Sequence, residues 1–113
     1  MLPADKIRLH HMLDAALEAL SFAQGRQRSD LDHDRLLLHG LVRNVEIMGE
    51  AASRITDDLK DLEHEIPWLD IVGMRNRLIH AYFDVDPDII WNTVVQDLPT
   101  LVTMLRQVLR VEL

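Results

Sequence analysis

Apolar residues recur every three or four positions through four long segments of this 113-residue chain. That spacing places them on one face of an α-helix, whereas a half-buried strand needs strict alternation of apolar and polar residues. The composition is 48% hydrophobic with only 4% aromatic residues, so the core is predicted to be aliphatic, as in helical bundles. We therefore predict an all-α fold: one domain over residues 1–113, built as an antiparallel four-helix bundle with an extra short helix as an option.

Polar breaks between the apolar segments set the predicted helix bounds. The first helix is predicted over about 4–23 and the second over about 31–54, with Asp30 or Asp32 capping the second. The third is predicted from about Pro67 to residue 82 or 83, and a short helical turn is an option in the acidic connector before it. The fourth is predicted to start at Asp86 and Pro87.

Two finer patterns accompany these helices. In the first helix the predicted apolar stripe contains Leu9, Leu13, Ala16, Leu17 and Leu20. In the fourth helix the apolar residues follow a heptad spacing, and Pro99 is predicted to kink it.

Charge and residue usage narrow the classes of function. A net charge of −7 argues against a broad basic surface for nucleic acid, so any such contact must be local. The absence of cysteine removes thiol chemistry and makes the cytoplasm the default compartment. No segment has the length and apolarity of a membrane span, and no histidine–carboxylate spacing typical of metal sites occurs, so neither a membrane, a metal nor a cofactor is predicted.

The second predicted helix carries a polar face opposite its apolar one. His39, Arg43, Glu46 and Glu50 follow each other at helical spacing, and the simplest interpretation is a solvated row of ion pairs. Gly49, and likewise Gly40, weakens a helix by about 1 kcal/mol relative to alanine. Close approach of another backbone is the expected reason for these glycines.

The third predicted helix places a charge inside its apolar stripe. In the segment MRNRLIHAYFDVD, residues 74–86, Arg75 lies near the centre of the face that also carries Val72 and Leu78. Three interpretations stay open at this point: a core-edge arginine paired with Glu46 or Glu50, a residue of a subunit interface, or a group that binds a phosphate.

Several reactive side chains accompany Arg75 within two helical turns. Asn76, His80 and Tyr82 add an amide, an imidazole and a phenol. A lone helical histidine is usually structural, but histidine moves protons near neutral pH and arginine stabilises charge on phosphoryl oxygens. Together these groups suit phosphodiester chemistry.

The same segment resembles a known family. RNRLIHAY matches the R-x4-H-x-Y motif of HepT-type toxins, a branch of the HEPN ribonucleases, and VRNVEIMGEAA on the second helix resembles the family pattern there. The similarity extends from the first helix through WNTVVQDLP, nearly the whole chain. It implies a HEPN-like helical domain.

The resemblance also implies an activity and site roles. Family members are homodimers whose third helices meet at a composite RNA-cleaving cleft, without a metal cofactor. Arg75 is then expected to stabilise the transition state, His80 to act as general acid or base, and Asn76 to orient His80 or the phosphate. Arg43 and Glu46, together with Arg77, are expected as further cleft or RNA contacts.

A partner follows from the same resemblance. HepT-type toxins pair with a minimal nucleotidyltransferase antitoxin, which transfers AMP to the motif tyrosine, here Tyr82. The RNA target, tRNA or mRNA, is left open. The alternative is a non-catalytic helical module that binds a protein or a nucleotide, in which Arg75 is only structural.

Overall fold

The structure, a computed structural model, describes residues 1–80 and 85–111. Six α-helices occupy this part of the chain, with a 3-10 helix at Arg28–Asp32 and a π-helical segment at Thr93–Asp97. The α-helices are α1 (Pro3–Ala23), α2 (Arg35–Ser53), α3 (Asp57–Leu62), α4 (Trp68–His80), α5 (Pro87–Asn92) and α6 (Leu98–Val111). The predicted all-α fold is confirmed, and the acidic connector does contain a short helix, α3.

The second helix begins four residues later than predicted. Asp34, rather than Asp30 or Asp32, is its N-cap and accepts a hydrogen bond from the Leu37 N–H at 3.0 Å. The predicted caps lie in the preceding 3-10 helix, where the Asp30 carboxylate accepts from the Gln27 N–H at 2.7 Å. Three aspartates in this stretch satisfy the chemical requirement for an N-cap, and local backbone geometry selects Asp34.

The buried face of α1 is rotated from the predicted stripe. Alanines dominate it, and Ala16 and Ala19 are fully buried beside Leu9 and Met12. Leu13 and Leu17 of the predicted stripe are only partly buried at its edge. Small residues at the centre allow a neighbouring helix to approach closely, so packing rather than side-chain hydrophobicity sets the rotation of α1.

Helix α2 lies at the centre of the packing, against both α1 and α4, while α6 packs on α1. Its direction is opposite to that of α1, because the end of α1 contacts the start of α2 through Phe22 and Gly40. At the other end, the buried Asp5 carboxylate accepts hydrogen bonds from the Thr56 hydroxyl and N–H at 2.6 and 3.0 Å. Thr56 is also the N-cap of α3, so this carboxylate links the start of α1 to the start of α3.

Helices α2 and α4 cross at Gly49. A Cβ atom placed on Gly49 would lie 2.0 Å from the Arg75 Cβ and 3.1 Å from the Ile71 carbonyl oxygen. Real carbon atoms never approach so closely, so only glycine allows this crossing. The predicted close approach is confirmed at Gly49, whereas at Gly40 the neighbour is the Phe22 ring rather than a backbone.

The predicted fourth helix is divided into α5, the π-helical segment and α6, and the division lies next to Pro99. Asp86 caps α5 and Pro87 occupies the first turn, as predicted. Ahead of Pro99 the chain widens into the π-helical segment, in which the Leu98 N–H donates to the Thr93 carbonyl. Pro99 thereby falls in the first turn of α6, where a missing N–H costs little. No helix in the described part of the chain is long and apolar enough to cross a bilayer.

Replacing Gly49 with alanine should destabilise the protein. The new methyl group forces α2 and α4 apart, and overpacking of this kind typically costs about 1–3 kcal/mol of unfolding free energy. Gly73→Ala is the matched control, because nothing lies within 4 Å of a Cβ at that helical position, so the alanine should stabilise by roughly 0.5–1 kcal/mol. Urea denaturation at one protein concentration measures both, and equal stability of the two variants would contradict the crossing.

Candidate active site

Arg75 begins at the α2–α4 crossing and extends along α2 to its polar face. Its Nη2 donates to the Glu50 Oε2, and its Nη1 donates to the Asn76 Oδ1 at 2.8 Å. The side chain is 26% exposed, and the Nε atom is buried with no hydrogen-bond partner among the described residues. Arg75 is therefore a half-buried cation with part of its hydrogen-bonding capacity unused, and a carboxylate holds its outer end.

A cleft of about 430 Å³ opens around this arginine. Three helices line it with charged or titratable side chains: Arg8 and His11 from α1, Arg43, Glu46 and Glu50 from α2 with Arg54 as its C-terminal cap, and Arg75 from α4. Four arginines against two glutamates leave a local net charge of +2, in a chain whose formal net charge is −7. The local concentration of positive charge that a nucleic-acid contact needs in an acidic chain is present in this cleft.

Glu50 links the two arginines at the end of the cleft. The Arg54 Nε donates to the Glu50 Oε1 at 2.8 Å, while Arg75 occupies the other carboxylate oxygen. The hydrogen bond from Arg54, together with the charge of Arg75, holds the pKa of Glu50 below its ordinary value of 4.5. The carboxylate therefore stays ionised at neutral pH and keeps both guanidinium groups in place.

The structure brings together four of the predicted site residues and separates a fifth. Arg43 and Glu46 line the cleft with Arg75 and form an ion pair at 3.5 Å, while Asn76 contacts Arg75 directly. Arg77 instead lines a different pocket, formed with residues of α5, and its Nη2 lies 3.5 Å from the Met74 sulfur.

Two predicted site residues fall where the structure gives no account of them. The His80 backbone ends α4, but its side chain and all of Tyr82 lie outside the described residues. Their roles therefore rest on the motif alone.

Sequence reasoning missed three residues of the cleft. Arg8 and His11 come from the first helix, far along the chain from the motif, and Arg54 lies one turn beyond the polar face predicted for α2. A signal existed for Arg54, because it continues the helical spacing of Arg43 and Glu50. For the α1 residues only the i, i+3 spacing was available, and it does not show which helix lies opposite. Within the described chain, no three His, Asp or Glu side chains are placed to hold a metal ion.

The profile of the family described as "Ribonuclease HepT-like" matches residues 12–108. The chain belongs to the HepT-like ribonuclease family. This match covers α2 and α4, the two helices that hold Arg75, Asn76 and Glu50. Because it begins at residue 12, Arg8 and His11 lie outside it.

Individual relatives agree with the family match. The chain is 33% identical over 104 residues to "Putative RNase TTE0752" of Caldanaerobacter subterraneus, covering 92% of this chain and 93% of that protein. It is 46% identical over 68 residues to "Probable ribonuclease HepT" of Thermococcus cleftensis, covering 60% and 62%. It is 30% identical over 96 residues to "Putative RNase MJ1380" of Methanocaldococcus jannaschii, covering 85% and 88%. No solved structure is a significant match to this HepT-like chain.

The low pKa of Glu50 leads to a pH prediction. Since the folded-state pKa lies below the unfolded value near 4.5, the stabilisation by this carboxylate is complete above that pH. It is lost as the pH falls through the lowered folded-state pKa. An NMR titration of the Glu50 carboxyl carbon should show a midpoint below 4.5, and Arg54→Gln should raise that midpoint more than Arg75→Gln, because Arg54 is the larger cause.

Arg35→Gln serves as the control for this titration. It removes an arginine from the first turn of α2, about 22 Å along the helix from Glu50, and should leave the midpoint unchanged. An unshifted Glu50 in the wild type would show that the ion pairs do not form in solution.

Proposed function

We propose that this HepT-like protein is a metal-independent endoribonuclease that acts as the toxin of a type VII-like toxin–antitoxin pair. The observation that carries the proposal is the position of Arg75. Arg75 is the arginine of the family motif, and it lies on α4, where its first carbons pack against Gly49 and its side chain lines a cleft with a net positive charge. A fixed cation at such a cleft suits an anion whose charge grows during the reaction.

The proposed reaction is an attack of the ribose 2′-hydroxyl on the adjacent phosphorus. One His80 removes the 2′-hydroxyl proton, and a second imidazole or water returns a proton to the departing 5′-oxygen, so that a 2′,3′-cyclic phosphate and a 5′-hydroxyl result. Arg75 donates to the phosphoryl oxygens as they gain charge. DNA lacks the nucleophile and is not cut.

Asn76 has a more specific proposed role than the motif suggested. Its side-chain carbonyl accepts a hydrogen bond from Arg75 Nη1. Asn76 is therefore proposed to orient the guanidinium group of Arg75. Glu50 orients the other side of the same group. The phosphate of the substrate then replaces the Glu50 carboxylate as the hydrogen-bond acceptor of Arg75, because both anions match the geometry of a guanidinium group.

The active form is proposed to be a homodimer in which the α4 helices of two protomers meet. A two-fold axis doubles Arg75 and His80 at one cleft, which supplies both a base and an acid. It also brings the positively charged cleft of one protomer close to that of its partner.

Control of the toxin is proposed to come from a minimal nucleotidyltransferase antitoxin in the cytoplasm. Transfer of AMP to Tyr82 would add a bulky anion two residues from His80, which blocks RNA by volume and by charge repulsion. The proposed substrates are tRNA or mRNA.

RNA cleavage by the purified protein in EDTA tests the ribonuclease. The wild type should cut a mixed RNA pool, His80→Ala should lose about 100-fold or more of the rate, and Arg75→Ala about 100- to 1,000-fold. Arg77→Ala is the matched control, because it removes an arginine two positions away that does not line the cleft. End analysis should find cyclic phosphates.

Light scattering on each variant shows whether the dimer persists, so that lost activity is assigned to chemistry rather than to assembly. An unmodified wild-type dimer that cuts neither tRNA nor mRNA would overturn the ribonuclease. The non-catalytic interaction module would then be the better account, with Arg75 as a structural residue.

A further inference from the structure

The α1 wall of the cleft carries a cation that the motif does not explain. Arg8 is half-buried, and no carboxylate partner of its guanidinium is found among the described residues. The other cleft arginines each have an acid: Arg43 pairs with Glu46, and both Arg54 and Arg75 pair with Glu50. Arg8 therefore supplies one of the two uncompensated positive charges of the cleft, and the sharing of Glu50 by two arginines leaves the other.

His11 extends the same wall. It lies three residues after Arg8, so both side chains project from one face of α1 into the cleft. Either ring nitrogen of a histidine can act as a hydrogen-bond donor. The α1 wall thus offers hydrogen-bond donors, and no α1 carboxylate lines the cleft.

The opposite wall is a continuous stripe on α2. Its residues follow at i, i+4, i+8 and i+11: Arg43, Ile47, Ala51 and Arg54. An arginine therefore lies at each end of this wall, with small or apolar side chains between them. The stripe is roughly 16 Å long, from eleven residues at 1.5 Å each. The stripe is longer than one nucleotide, and the side chains of Arg43 and Arg54 at its ends are exposed.

We propose that Arg8 and His11, together with Arg54, form a binding subsite for the phosphodiester backbone of RNA beside the reacting phosphate at Arg75. The identity of the ligand as RNA rests on the proposed ribonuclease function. Arginine matches phosphate oxygens with two parallel donors, and a second phosphate fixes the strand relative to the first. Arg8 is a substrate-binding residue in this scheme and does not touch the reacting atoms.

Glu50 limits the affinity of the subsite. It accepts one hydrogen bond from Arg54 and one from Arg75 in the free protein, so a phosphate that takes those donors displaces it. Removing its negative charge should therefore tighten RNA binding, although the carboxylate orders the same arginines. Opposite effects of Arg8 and Glu50 substitutions distinguish a phosphate site from a merely structural charge network.

Binding of a 2′-O-methyl RNA oligonucleotide, which lacks the nucleophile and cannot be cut, tests the subsite. Fluorescence anisotropy at several salt concentrations gives both the Kd and its salt dependence. Arg8→Gln should weaken binding about five- to tenfold and reduce the slope of log K against log salt by about 0.7, the value for one phosphate contact on a single strand. Arg35→Gln removes the same charge about 12 Å along α2 from the cleft residue Arg43 and should change the slope little.

Glu50→Gln should tighten the same complex severalfold, and Glu18→Gln is its control, because Glu18 is an exposed acid on α1 that does not line the cleft. In RNA cleavage assays Arg8→Gln should raise KM and leave kcat close to that of the wild type. A thermal melt of each variant shows that the fold is intact.

The subsite is overturned if Arg8→Gln and Arg35→Gln give the same affinity and salt slope. It is also overturned if polyglutamate competes for the cleft as well as RNA does at equal charge, since the site would then select an acidic peptide. These outcomes are separate from the ribonuclease test: Arg8-dependent binding without cleavage supports the subsite and removes the enzyme, whereas cleavage without Arg8-dependent binding does the reverse.

Discussion

The contact between Gly49 and Arg75 is the constraint on which the site depends. Because glycine leaves no Cβ on α2, α4 approaches until the Arg75 side chain starts at the helix–helix interface itself. Its first carbons are packed, and only its guanidinium reaches the polar face of α2. This arrangement restricts the rotamers of a long flexible side chain, so little entropy remains to be lost when it binds an anion. The arginine inside an apolar stripe is explained in this way: its stem belongs to the core and its charge to the cleft.

The arrangement of charged side chains in the cleft is the second feature of the site. The chain is acidic overall, yet four arginines line one cleft. Both glutamates that line the cleft form ion pairs with these arginines. Glu50 has the central position, since it both orders Arg54 and Arg75 and competes with any ligand for them. In the absence of a ligand, the carboxylate of Glu50 reduces the repulsion between the two guanidinium groups and so stabilises their close approach. In the proposed subsite, the affinity for a phosphate therefore depends on the free energy of separating Glu50 from Arg54 and Arg75.

Much of the fold was predictable because periodicity and end signals are local. The cap at Asp86 and Pro87 and the close approach at Gly49 both agree with the structure. The start of α2 was wrong by four residues, because several aspartates offered equivalent capping chemistry. The face of α1 was rotated because alanines, which score as weakly hydrophobic, pack best where two helices are close. In the site, the Arg75–Glu50 pair was among the interpretations left open, while Arg8, His11 and Arg54 were not named.

The sequence by itself determined the helical class, the family and the motif residues Arg75, Asn76, His80 and Tyr82, because these depend on spacing along one segment and on the chemistry of each side chain. Only the tertiary structure decided which charges share the cleft. It paired Arg75 with Glu50, separated Arg77 from both, and added Arg8 and His11 from a helix more than sixty residues away in the chain. The physical reason is that helix rotation and crossing are set by packing between elements, which follows from the sizes of residues that are distant in sequence.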